Sequence, residues 1–353
     1  RESGLDAAWS FILGVLATVT APFLAPGSVF SATSLLCALT IAVVFIAVKL
    51  ARRKRRIRLR VLWRALLPRR IASHASTGID LSYLVFNTFI FGAMFGWALI
   101  SFRAVSNGTI GILTSAFGTP SPTALPELAT RTLLTIGLFI AYEFGYWLHH
   151  YLCHRVPFLW EFHKVHHTAN VLTPLTVFRV HPVDTWLFAN MLAIAVGSAN
   201  GIMNYALGVT AAPYMVTDTN LILVIFVHAY IHFQHSHLWI VFRGVAGRIL
   251  VSPAHHQVHH SNNPIHFNKN LGSCLAIWDW LFGTLHVPAK TPERLSFGVD
   301  ATGRDAQTIT EAYVSSFPRA VQTMRAALPA RGAEADAADE EFAKPAAIAP
   351  QTQ

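Results

Sequence analysis

The chain has 353 residues, of which 53% are hydrophobic and only 13% charged, well below the ~25% charged share of soluble domains. Its net charge of +9 is local, because Arg52, Arg53, Lys54, Arg55, Arg56, Arg58, Arg60, Arg64, Arg69 and Arg70 supply ten positive charges and the remainder is close to neutral. That balance excludes nucleic acid as an expected partner and points to a membrane protein with one basic, cytoplasm-facing loop and affinity for anionic lipid.

In chain order, Ala7–Val48 carries no charge, and Pro26-Gly27 divides it into spans Ala7–Ala25 and Ser28–Val48. Each is long enough for ~30 Å of hydrocarbon. No cleavable signal is expected, since no small-x-small site precedes a polar region. The basic block interleaves its arginines with Ile57, Leu59, Val61, Leu62, Trp63, Leu66 and Leu67, the pattern of an interfacial amphipathic helix within 50–78. Further spans are expected at Leu81–Phe102 and Thr132–Leu148. With loop 49–79 in the cytoplasm, His150 and His154 emerge on the same side. Thr185–Thr217 is uncharged but interrupted by Asn190, Asn200, Gly201 and Asn204, and a second run follows from Pro213 to about Ile231. An even number of crossings is required there, by two short helices or a re-entrant pair.

Residues 232–288 read as a cytoplasmic helical cap, and the tail from about 327 as disordered. The expected fold class is all-α: polytopic membrane helices with a cytoplasmic helical cap carrying a histidine-rich dimetal site. The expected divisions are membrane spans over 1–130, a catalytic domain over 131–288 and an extension over 289–353. Cys37, Cys153 and Cys274 are scattered without a CxxC, which excludes a disulfide scaffold or iron–sulfur site.

Seventeen of the eighteen histidines lie between His149 and His286. Three groups have ligand spacing: His150 and His154 in HxxxH; His163, His166 and His167 in HxxHH; and His256, His259 and His260 in HxxHH again. On a helix, positions i, i+3 and i+4 share a face, so each group is expected to converge. These imidazoles approach what two ions need when each keeps an open position. A ninth ligand is expected among His228, His232, His235 and His237. Structural zinc would use cysteine, and HExxH is absent because Lys164 stands where its glutamate would be. An all-nitrogen pair at a membrane surface fits two irons that activate dioxygen against an unactivated C–H bond.

Glu143 lies two helical turns before His150 and is the acidic candidate, expected to accept a hydrogen bond from a ligand N–H. Asp184 and Asp279 are candidates for the same role. His149 is expected beside the ligands rather than among them. His74 and His286 are expected at the surface or in packing, while His181, His232, His237 and His266 remain open as additional ligands.

The stretches Tyr146–His167, Ser252–His260 and Ile277–Leu285 resemble the fatty acid hydroxylase/sterol desaturase superfamily over about 140–288. The resemblance implies a membrane-bound, non-haem di-iron oxygenase of helical fold. It implies two Fe ions, O2 as co-substrate, a lipid or sterol-like substrate and an outside electron donor. It carries the iron ligands onto His150, His154, His163, His166, His167, His256, His259 and His260, with His235 as the ninth. No haem-attachment, flavin or CxxC motif is visible, so electrons are expected from a separate ferredoxin- or cytochrome-type protein. Hydroxylation is the expected reaction. Desaturation is the alternative within the same chemistry, and membrane metal binding or transport is the alternative from another class.

Overall fold

The computed structural model describes residues 9, 10, 12–14, 20, 23–89, 98–299 and 308–327. The expected span Ala7–Ala25, the later part of Leu81–Phe102 and the tail past 327 therefore lie wholly or largely outside the described residues.

Ser31 opens helix α1 (Ala32–Arg52) by accepting the Ser34 N–H, and Lys49 and Arg52 close it where the helix dipole favours cations. Its 21 residues rise ~31 Å, and Leu36 and Val44 face outward uncovered. In α2 (Leu59–Leu66) no residue is buried, and Leu59 and Trp63 stand exposed among the arginines, as an interfacial helix requires. α3 (Ala75–Phe89) and α4 (Phe102–Phe117) follow.

α5 (Glu127–Arg155) covers Thr132–Leu148, where a span was expected, but it is not among the described helices long and apolar enough to cross a membrane. It ends at a corner that builds the site. Val156 is extended, and Pro157 occupies the first turn of α6 (Pro157–His167). Proline disfavours helical backbone in the residue before it and tolerates only a helix's first turn. The chain therefore bends and folds His163–His167 back onto His150 and His154.

α7 (Pro182–Leu207) is one continuous helix of 26 residues through the interrupted apolar stretch. The residues that interrupt its apolar pattern are its contact points. A Cβ on Gly197 would meet Val105 at 2.9 Å, and one on Gly201 would meet Thr109 at 2.6 Å. Asn200 donates to Ser106 Oγ at 2.8 Å, and Asn190 accepts the Ile100 N–H at 2.7 Å. Small residues four apart admit a neighbouring helix, and buried amides join helices where water is absent. α1 and α7 are the described helices long and apolar enough to cross a membrane.

A hairpin of β1 (Met215–Val216) and β2 (Thr219–Asn220) leads to α8 (Leu221–Ala229) and α9 (Ile231–Gln234). The fold is thus mostly rather than wholly helical. α10 (Pro253–His259), α11 (Ile277–Leu281) and α12 (Ile309–Ala327) complete it, with α12 packed on α6. Between α3 and the segment before α7 lies a buried ion pair. Arg179 donates to Asp80 at 2.6 Å, to the Ser76 carbonyl at 2.7 Å and to Thr168 Oγ1 at 3.2 Å. The pair holds Arg179 rigidly, and its backbone carbonyl faces the histidines.

Candidate metal centre

The eight histidines with ligand spacing, together with His235, lie in two adjoining groups. His150, His154, His163, His167 and His259 form one, and His166, His235, His256 and His260 form the other. The boxes do not each converge, as their spacing suggested. In both HxxHH boxes the i and i+4 members enter one group and the i+3 member enters the other. Successive residues turn ~100° round a helix, so neighbouring histidines diverge. His167 and His260 stack across the boundary at 4.6 Å.

Hydrogen bonds behind the rings decide which nitrogen faces inward. His150 Nδ1 donates to the Leu271 carbonyl at 2.8 Å, His166 Nδ1 to the Arg179 carbonyl at 3.2 Å and His259 Nδ1 to the Lys269 carbonyl at 2.9 Å. His163 Nδ1 donates to Asp184 Oδ2 at 3.0 Å. A carbonyl accepts only, so the proton sits on Nδ1 and Nε2 carries a lone pair. In the larger group the Nε2 atoms of His150, His154, His163, His167 and His259 are all buried without a partner among the described residues.

In the smaller group His235 Nε2 lies 2.9 Å from His256 Nε2, 3.1 Å from His260 Nε2 and 3.2 Å from His166 Nε2. Imidazole binds divalent ions at ~2.0–2.1 Å, so neighbouring ligands of one octahedral ion stand ~3 Å apart. The donor set and its orphaned lone pairs therefore fit bound metal. Burial, reinforced by neighbouring imidazoles, holds His154, His166, His167, His256 and His260 well below the ordinary imidazole range, and His235 and His259 at about 3. These rings are neutral and able to ligate. A cavity of about 630 Å³ reaches them, lined by His154, His167, His259 and His260 together with Trp160 and Phe267.

The structure corrects the role expected of Glu143. Its Oε2 accepts the backbone N–H groups of Cys274 (2.8 Å) and Leu275 (2.7 Å), so it anchors the 271–276 loop and not a ligand ring. Asp184, in the first turn of α7, takes that role through His163 and also accepts from His149 Nε2 at 2.8 Å. Asp279 accepts the N–H groups of Leu271 (2.9 Å) and Gly272 (2.8 Å), which steadies the carbonyl that meets His150.

His181 caps α7, and His232 and His237 lie against Ser34 and the Ala65 carbonyl, outside both groups. His255 forms a capping box with Ser252 at the start of α10, a role the serine three residues earlier could have signalled. The Arg179–Asp80 pair behind His166 joins residues far apart in sequence and left no local signal.

Residues 135–284 match the family model described as fatty acid hydroxylase. Over 224 residues the chain is 28% identical to ornithine lipid hydroxylase of Rhizobium tropici, covering 59% of this chain and 62% of the relative. Alkylglycerol monooxygenase of Danio rerio is 28% identical over 149 residues, 41% of this chain and 29% of the relative. Cholesterol 25-hydroxylase-like protein 2 of Danio rerio is 29% identical over 187 residues, 50% of this chain and 58% of the relative. The chain thus spans less than two thirds of each of these relatives. No solved structure matches it significantly.

Proposed function

Through residues 135–284 the chain belongs to the fatty acid hydroxylase family, and from that membership we propose that it is a membrane-bound, non-haem di-iron oxygenase. It hydroxylates a lipid or sterol-like substrate with O2 and electrons from a separate ferredoxin- or cytochrome-type protein. The observation that carries this reading is the inward set of bare Nε2 atoms beside a cavity of about 630 Å³. His150, His154, His163, His167 and His259 would hold one iron, and His166, His235, His256 and His260 the other. Bound there, the irons supply the redox chemistry that activates dioxygen and oxidises a C–H bond.

The chain's own residues orient and shield. Asp184 and the carbonyls of Leu271, Arg179 and Lys269 keep the ring protons outward and the lone pairs inward. Trp160 lies 5.0 Å from the His154 ring and 5.3 Å from His167, closing one side against water. Pro157, Trp160, Phe267 and Val299 offer an alkyl chain an apolar wall, while Arg155, Asn262 and Asn268 line the cavity with polar groups. The relatives carry hydroxylase or monooxygenase names, which favours hydroxylation over desaturation. Transport would call for ligands spread along several spans, whereas these nine are gathered in one place.

Lipids of cells holding the active protein should contain species one oxygen atom heavier than those of cells with a His166→Ala variant. Loss of two hydrogens instead would assign a desaturase, and identical lipids would defeat both readings. We place loop 49–79 and the histidines on the cytoplasmic side. Impermeant thiol reagents should therefore fail to label Ala72→Cys and Asn262→Cys in intact cells, and labelling of either from outside would reverse this topology.

A further inference from the structure

Beyond the nine imidazoles, His266 presents a problem of its own. It ends a short turn opened by Asn263 and Pro264, its side chain is only 2% exposed, and neither ring nitrogen has a hydrogen-bond partner among the described residues. Burying both without compensation is unfavourable. Two donor side chains face it from a distant stretch of sequence. Glu293 Oε2 lies 3.5 Å from His266 Nε2, and the His286 ring centroid lies 5.2 Å from that of His266. The ligating atoms of all three residues fall within 4.8 Å of one another.

The backbone that presents them is tied down. Asn270 is fully buried with φ 58°. It donates to the His286 carbonyl at 2.8 Å and accepts the His286 N–H at 2.7 Å, while also donating to the His255 carbonyl at 3.0 Å. Further along, Asn262 donates its N–H to the Ser296 carbonyl at 3.0 Å. The 286–296 segment is thus pinned at both ends, with Glu293 between them.

The geometry points to a third metal site, in which His266, His286 and Glu293 bind a divalent ion of borderline hardness such as Zn2+. Two imidazoles and one carboxylate suit that ion and leave a position open to solvent, since His286 and Glu293 are half-buried. His266 lies within the family match at 135–284, whereas His286 and Glu293 lie past it, so the site joins the matched region to the segment that follows it. Its role is to staple the segment that walls two cavities: Glu293, Leu295 and Phe297 line one of about 710 Å³, and Gly298 and Val299 line the one beside the histidines.

Purified, iron-loaded full-length protein should be titrated with Zn2+ against a competing chelator, with iron content followed in parallel. One zinc equivalent is expected beyond the iron. Its affinity should fall at least ~10-fold in His286→Gln and in Glu293→Gln, while iron content stays unchanged. Zinc should also protect residues 287–295 from proteolysis in the unmodified protein but in neither variant. Absence of the extra equivalent, zinc taken up only at the expense of iron, or equal affinity in both variants would overturn the site. None of these readouts depends on turnover, so failure of the oxygenase proposal and failure of this site are separately visible.

Discussion

The two imidazole groups share the same two HxxHH boxes but differ in what stands behind them. In the five-membered group His150, His163 and His259 each donate Nδ1–H to a fixed acceptor, and one acceptor is the Asp184 carboxylate. In the four-membered group His166 has such an acceptor in the Arg179 carbonyl, whereas His256 Nδ1 has no partner. His235 enters that group from the turn after α9, outside both boxes. An anion behind a ligand raises its basicity and offsets the charge of a bound ion. The five-membered group should therefore hold its ion more tightly, and a chelator should empty the four-membered group first.

The largest effect expected is from His166→Ala. Under the proposed assignment it would remove a direct ligand of the four-membered group, so turnover should be abolished and one of two irons lost, beyond the ~10–100-fold typical of losing an outer partner. Full iron content with full turnover would dismantle the ligand assignment. His235→Ala should be equally silent in membranes given an electron donor. His74→Ala should keep most activity, because His74 lies outside both groups and accepts the Ser76 N–H near the start of α3. Equal activity in these two variants would remove His235 from the site.

A smaller effect is expected from Asp184→Asn. Metal affinity of the five-membered group should drop ~10–100-fold, measured by chelator competition, and the double variant with His166→Ala should give up its remaining iron to a chelator more readily than His166→Ala alone. Retention of one tightly bound iron in the double variant would show that Asp184 does not favour the larger group.

The smallest effect is the response to acid. Burial lowers His235 and His259 from 6.5 to about 3, with neighbouring histidines contributing. Between those values the unfolded chain takes up protons that the folded chain refuses, so stability falls as pH falls through that window. Metal-free protein should lose thermal stability steadily below about 6.5, and iron-loaded protein should resist longer. A flat profile across the window would mean that these rings are not neutral by burial.

Much of the candidate centre was legible in the sequence. Helical spacing alone drew attention to His150, His154, His163, His166, His167, His256, His259 and His260, and resemblance singled out His235. Spacing could not reveal that each HxxHH box divides between two groups, because sharing a helix face is a coarser property than aiming at one point. Glu143 looked like the supporting carboxylate because it shares α5 with His150. Asp184 supports instead, having arrived on another helix. Asn190, Asn200 and Gly201 read as breaks in an apolar run, yet they are where α4 and its approach pack on α7.

Local sequence pattern was enough to read the solvent of the fold and the donor type of the candidate site. Long uncharged runs must leave water, and clustered imidazoles at helical spacing gather on common faces, both of which are local properties. Only the tertiary structure decided how the imidazoles divide, which carboxylate stands behind them, and that His286, 20 positions beyond His266, would meet it and Glu293. Those outcomes depend on the corner at Pro157, the passage of α7 beside α5 and the clamp of Asn270. They are contacts between distant segments, formed only when the packed core brings those segments together.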